Sequence, residues 1–192
     1  MNFANGRVAV LGTGLIGGSV GAAARSRGFE VVGWDSDPSR AARAVEVGAA
    51  DLAAATLDDA VVGALVAFVA VPVGVASIVA LAALRSDPVV VVSDVGSVKS
   101  GVVAGVEAAA DGNAARFVGG HPMAGSEQDG VEGARADLFQ GATWVLTPTD
   151  VTSPEAFATV RSLVASFGAE AIALTPHDHD RFVATVSHVP QL

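Results

Sequence analysis

Gly12-Thr13-Gly14-Leu15-Ile16-Gly17 joins an apolar run to an Ala-rich stretch, and no other feature of this chain narrows the fold as far. Glycines at the first, third and sixth positions, between a strand and a helix, form the dinucleotide fingerprint. Gly12 permits the tight turn, Gly14 lets backbone approach a pyrophosphate, and Gly17 lets helix and strand pack closely. The N–H groups of the helix start, over Thr13, Leu15 and Ile16, are donors for phosphate oxygens. Asp35 ends the second expected strand, 18 residues after Gly17, where a carboxylate accepts bonds from ribose hydroxyls and repels a 2′-phosphate. NAD is therefore favoured as cofactor, while Arg40 and Arg43 slightly downstream leave NADP open. Val71 and Pro72 close a third strand and are counted with the cofactor residues.

The rest of the chain continues the alternation. Strands are expected over 7–12, 30–35, 65–71, 89–94, 116–119, 143–146 and 170–174. Helices are expected from Leu15, Pro38 and Val75, over 98–110, near 130–139, over 154–167 behind Ser153, and from Asp178. This is the rhythm of an α/β protein with a Rossmann-type, doubly wound, mostly parallel sheet. Gly63 to Leu84 carries 22 uncharged residues, a length that suggests a membrane span. Its β-branched first half and the break at Pro72 and Gly74 instead predict a buried strand feeding a core-facing helix. Residues 8–24 mimic a signal peptide but hold the glycine motif and lack a basic start. No membrane association is expected.

The 192 residues include 22 glycines, no cysteine and no tyrosine. The lack of cysteine excludes a disulfide scaffold, a thiolate metal site and a cysteine nucleophile, and fits a reducing cytoplasm. A net charge of −9 argues against nucleic acid and anionic membranes as partners. It also gives no long-range attraction for an anionic substrate, which must then be held by local donors.

Residues 119–127 read Gly-Gly-His-Pro-Met-Ala-Gly-Ser-Glu. The flanking Gly and Pro place His121 at the end of a strand with little bulk to cover it. Imidazole takes or gives a proton near neutral pH, so a histidine beside a dinucleotide site is suited to oxidising an alcohol. Upstream stands Asp94-Val95-Gly96-Ser97-Val98-Lys99, and downstream Ser187-His188-Val189-Pro190-Gln191. With these blocks in this order, residues 7–192 resemble the prephenate/arogenate dehydrogenase family of tyrosine biosynthesis. Other dehydrogenases share the glycine loop, and nucleotide-sugar dehydrogenases also need a cysteine nucleophile. A non-catalytic NAD-binding module is the alternative from outside enzymology.

The resemblance implies a catalytic pair in which His121 contacts the substrate's ring hydroxyl and Ser97 supports it. It implies oxidative decarboxylation of prephenate to 4-hydroxyphenylpyruvate: hydride leaves C4 for NAD, CO₂ leaves C1, and the ring becomes aromatic. Ser126, Glu127, Ser187, His188 and Gln191 match family positions at the substrate pocket, and Lys99 is expected to lend it positive potential. An acid at position 191 would pair with the amine of arogenate, so the neutral Gln191 favours prephenate. His177-Asp178-His179-Asp180 reads as the capped first turn of a helix and not as a metal site; no metal is expected. The family also has a helical dimerisation domain of roughly a hundred further residues, which supplies an arginine for the substrate carboxylate. The expected organisation is therefore a dinucleotide-binding domain over 1–175 and the start of the helical domain over 176–192. The helix that stops at Leu192 in mid-pattern reads as a cut, and homodimerisation is expected through the domain beyond it.

Overall fold

A computed structural model describes residues 6–125 and 130–187. The chain runs β1 (Arg7–Leu11), α1 (Leu15–Ser26), β2 (Glu30–Trp34), α2 (Pro38–Glu46), β3 (Leu52–Ala53), α3 (Leu57–Val61), β4 (Ala64–Val69) and α4 (Val73–Ser86). It continues through β5 (Val91–Asp94), α5 (Ser100–Ala109), β6 (Phe117–Pro122), β7 (Thr143–Thr147), α6 (Pro154–Ser166), β8 (Glu170–Ala173) and α7 (Pro176–Ser187). The strands form one sheet in the order β3-β2-β1-β4-β5-β6-β7-β8. Neighbours are parallel except for the β6–β7 pair, which is antiparallel. The expected doubly wound α/β sheet is present.

Strand side chains alternate between two cores. Val8, Val10, Val66 and Phe68 pack with residues of α1 and α6 on one face. Ala9, Leu11, Ala67 and Val69 pack with residues of α3, α4 and α5 on the other. A strand apolar on both sides is what a sheet covered by helices on both faces requires. The apolar run from Gly63 accordingly splits into β4 and α4, and among the described residues no helix is long and apolar enough to cross a membrane.

Several expected elements differ. In place of a helix near 130–139 there is a three-residue 3₁₀ turn, Val131–Gly133. Gly130 sits at φ +77° and Gly133 follows within the turn, a poor start for a helix. Leu138 and Phe139 from this segment still reach the core. The strand expected over 116–119 extends to Pro122, because β7 offers it an antiparallel partner, with His121 opposite Val145 and Pro122 opposite Trp144. On its other side β6 pairs with β5 only at Phe117 and Val118, so the missing N–H of Pro122 breaks no ladder there. The short β3 and α3 were not expected at all, being too brief to carry a period. Helix α7 starts at Pro176, two residues earlier than expected, and packs against α5 and β7.

Candidate active site

The sheet order reverses between β1 and β4, and the crevice at their C-terminal ends is where open α/β sheets bind ligands. The glycine loop fills this place. Gly12 donates its N–H to the Trp34 carbonyl at 2.8 Å and adopts φ +96°. A Cβ on Gly17 would lie 1.9 Å from the Gly12 carbonyl oxygen, so only glycine lets α1 start this close to β1. Gly14 is different: a Cβ there would meet nothing within 4 Å, because the loop faces open space. No side chain caps α1, and its first turn holds no acid. Its positive end is thus offered to an anion from outside the chain.

Two adjoining cavities flank Gly14. One of about 260 Å³ is lined by Gly12, Asp35, Arg40, Val71 and Pro72 among others. The other, of about 580 Å³, adds Thr13, Ser39, Arg43 and Val131. Asp35 accepts from the Thr13 N–H at 2.9 Å, the Thr13 hydroxyl at 3.2 Å and the Asp37 N–H at 3.0 Å. Its carboxylate is therefore fixed at the mouth of the crevice. Arg43 is engaged by Glu46 at 2.8 Å and Glu132 at 3.2 Å, while Arg40 stays 3.8 Å from Asp37. Leu15 and Ile16 form the first turn of α1, Ile16 packing onto the core below. Six of the nine residues expected at the cofactor, Gly12, Thr13, Gly14, Asp35, Val71 and Pro72, line these cavities, while Leu15, Ile16 and Gly17 stand beside them at the start of α1.

His121 lies three strands away on the same edge of the sheet, in the last two residues of β6. The strand must pass close to β5 to place it. A Cβ on Gly120 would lie 2.7 Å from the Asp94 carbonyl oxygen, with Ser93 Oγ and Trp144 Nε1 close by. Beneath the loop after β5, Asp94 accepts from the N–H groups of Gly96 at 2.9 Å and Gly120 at 3.2 Å, and pairs with the Lys99 ammonium. Lys99 also donates to the Gly120 carbonyl at 2.7 Å. Both charged side chains are fully buried. Burial pulls the Lys99 pKa below the ordinary lysine value, and Asp94 and Asp180 oppose that shift. The lysine expected to lend potential to a substrate is instead the anchor under the His121 strand, because its short tether to Asp94 turns it inward.

The side chain that meets His121 is His179. The Nδ1 of His121 lies 2.9 Å from the Nε2 of His179, and the Nδ1 of His179 lies 2.8 Å from Asp180 Oδ1. His179 is fully buried, whereas His121 is half-buried. Desolvation, with the nearby His179 and Lys99, lowers the His121 pKa to about 4, so at neutral pH the ring is uncharged and able to accept a proton. Asp180 also accepts from the backbone N–H groups of Lys99 at 2.8 Å and Ser100 at 2.9 Å, closing the N-terminus of α5. Burial raises its pKa, but hydrogen bonds from Ser100, Lys99 and His179 outweigh that and hold it well below the usual carboxylate range.

Ser97, expected to support His121, is exposed in the loop before α5 and has no hydrogen-bond partner among the described residues. Ser187 is the last residue of α7. Ser126, Glu127, His188 and Gln191 lie outside the described residues.

His179 and Asp180 are the functional candidates that sequence reasoning missed. Half of the expected cap is present: Thr175 accepts from the Asp178 N–H at 3.1 Å and donates to its carboxylate at 2.8 Å. The other half turns inward. Over residues 176–185 of α7, Pro176, His179, Asp180 and Val183 are the less exposed positions, at the i, i+3, i+4, i+7 spacing of one helix face. Read by that period, the four alternating residues separate into an outer pair, His177-Asp178, and an inner pair, His179-Asp180. Among the described residues no group of three or more His, Cys, Asp or Glu is placed to hold a metal.

Comparison with known proteins bears on this arrangement. The family model described as "Prephenate dehydrogenase, nucleotide-binding domain" matches residues 20–173. Prephenate dehydrogenase of Bacillus subtilis is 32% identical over 197 aligned positions, which take in all of this chain and 53% of that protein. Among solved structures, Synechocystis arogenate dehydrogenase matches 95% of this chain and 64% of its own, at 34% identity and a TM-score of 0.86. Prephenate dehydrogenase from A. aeolicus, in complex with hydroxyphenyl propionate and NAD+, matches 96% and 65%, at 29% identity and 0.87. The chain spans about half the length of the Bacillus protein and about two thirds of each solved chain.

Proposed function

The chain belongs to the prephenate dehydrogenase family as a nucleotide-binding domain, and from that premise we propose that it serves the NAD-dependent oxidative decarboxylation of prephenate, with His121 receiving the proton of the ring hydroxyl. The observation that carries the proposal is a half-buried His121, held through Nδ1, on the sheet edge that bears the glycine loop, where burial lowers its pKa and favours the neutral ring.

The crevice fits a dinucleotide. Gly12, Thr13, Gly14 and the first turn of α1 would hold the pyrophosphate, Asp35 the ribose hydroxyls, and Val71 and Pro72 one wall. A dinucleotide held there would supply the acceptor for the hydride that leaves C4 of the substrate. With Nδ1 engaged by His179, His121 has Nε2 for the C4 hydroxyl and takes its proton as the C–O bond gains double-bond character. When the C1 carboxylate departs as CO₂, the electron pair left behind makes the ring aromatic. His121 then returns its proton to the phenolic oxygen, so the histidine ends as it began.

Prephenate is preferred to arogenate in this proposal because Gln191 is neutral and offers no charge to an amine. Rates measured on the full-length protein with either substrate and either cofactor test it. The highest kcat/KM is expected with prephenate and NAD; a higher value with arogenate would overturn the substrate assignment alone, and no oxidation of either would overturn the function.

Cofactor choice has its own test. Calorimetry is expected to show tighter binding of NAD than of NADP, since the fixed Asp35 carboxylate repels a 2′-phosphate. Asp35→Ala is expected to narrow the gap by weakening NAD and relieving NADP. Equal affinities in the unsubstituted protein would remove Asp35 from the account.

A further inference from the structure

We infer that His179 and Asp180 are positioning residues that set the tautomer of His121 and tie it to the start of α5; the inference deepens the proposed function and rests on it for the role of His121. An ionised carboxylate only accepts hydrogen bonds, so in the contact between Asp180 Oδ1 and His179 Nδ1 the proton sits on the histidine. A neutral His179 protonated at Nδ1 presents a lone pair at Nε2. The 2.9 Å contact then requires His121 to donate from its own Nδ1. A neutral His121 protonated at Nδ1 carries its lone pair on Nε2, the nitrogen turned to the hydroxyl. Each step follows from the one before, and the result is a base oriented before substrate arrives.

The same carboxylate holds the helix. Asp180 accepts from the N–H groups of Lys99 and Ser100 with its two oxygens, while Lys99 through its side chain holds the Gly120 carbonyl. One residue of α7 therefore fixes the loop from β5, the strand that carries His121, and the ring that touches His121. The full burial of His179 keeps water away from its own side of the contact. Ser97 plays no part in this chain of contacts.

Nitrogen-15 NMR of the labelled protein reads the tautomer directly, without substrate or cofactor. His121 is expected to be protonated at Nδ1 and bare at Nε2. In His179→Phe the ring loses its acceptor, and the Nε2-protonated form is expected to gain population. In His179→Gln the carboxamide oxygen accepts again, and the Nδ1-protonated form is expected to return. With prephenate and NAD, His179→Phe is expected to lower kcat by about 10- to 100-fold at little change in KM, with partial recovery in His179→Gln. If His179→Phe does not fold, the unsubstituted protein and His179→Gln still decide the question. An Nε2-protonated His121 in the unsubstituted protein, or a tautomer and kcat indifferent to His179→Phe, would overturn the inference while leaving the oxidation of prephenate standing. The expected tautomers in a protein that does not oxidise prephenate would uphold the positioning and end the functional reading instead.

Discussion

His121→Asn is expected to lower kcat for prephenate by about 10²–10⁴, or roughly 3–5 kcal/mol of barrier, with NAD affinity nearly unchanged. The carboxamide reaches about as far as Nδ1, so a bond to His179 survives, but the atom at the Nε2 position is gone. The substitution therefore removes proton acceptance and spares the packing. The cofactor cavity is built from the ends of β1, β2 and β4 and does not include β6, so binding there has no cause to move. The pH profile gives a second reading. An acceptor works only when unprotonated, so with its pKa near 4 His121 stays active at neutral pH, and the rate falls as pH drops through about 4. That limb is expected to vanish in His121→Asn. A variant with near-normal kcat would reduce His121 to a residue that only completes a strand.

Lys99→Met is expected to destabilise the fold by about 3–5 kcal/mol in denaturant unfolding, because it strands Asp94 as a buried, uncompensated charge. Methionine roughly fills the volume, so the loss reports charge rather than a cavity. Adding Asp94→Asn is expected to recover part of it. The carboxamide is neutral and still accepts one bond, though not both from Gly96 and Gly120. Single and double variants that differ from the parent by less than about 1 kcal/mol would mean that the pair is solvated and that Lys99 is free to face a ligand.

The parts of the fold legible in the sequence were those written in short spans. The glycine loop, the apolar strands and the cap at Ser153 each depend on residues within a few positions of one another. The antiparallel extension of β6 did not show, since it depends on β7 more than twenty residues on. Nor did the fate of Lys99: a lone lysine at a helix start is ordinarily solvated, and only the placement of Asp94 and Gly120 around it shows otherwise. His121 was legible as a candidate base from its Gly and Pro neighbours. Its contact is not, because His179 is 58 residues away and reads with His177 as part of one helix cap. The helical period was the available signal, and alternation along the sequence concealed it.

One measurement bears most directly on the central proposal: reduced NAD and CO₂ followed together in a sample of the full-length protein with prephenate and NAD. A histidine at this ring has two courses open to it. As a proton acceptor it supports oxidation, and CO₂ departs only with hydride transfer. As a proton donor to the departing hydroxyl it would support decarboxylation with loss of water, and no reduced cofactor would form. The uncharged His121, held through Nδ1, is built for the first course. Equal amounts of reduced NAD and CO₂ are expected at every time point; CO₂ released without reduced NAD would contradict the account.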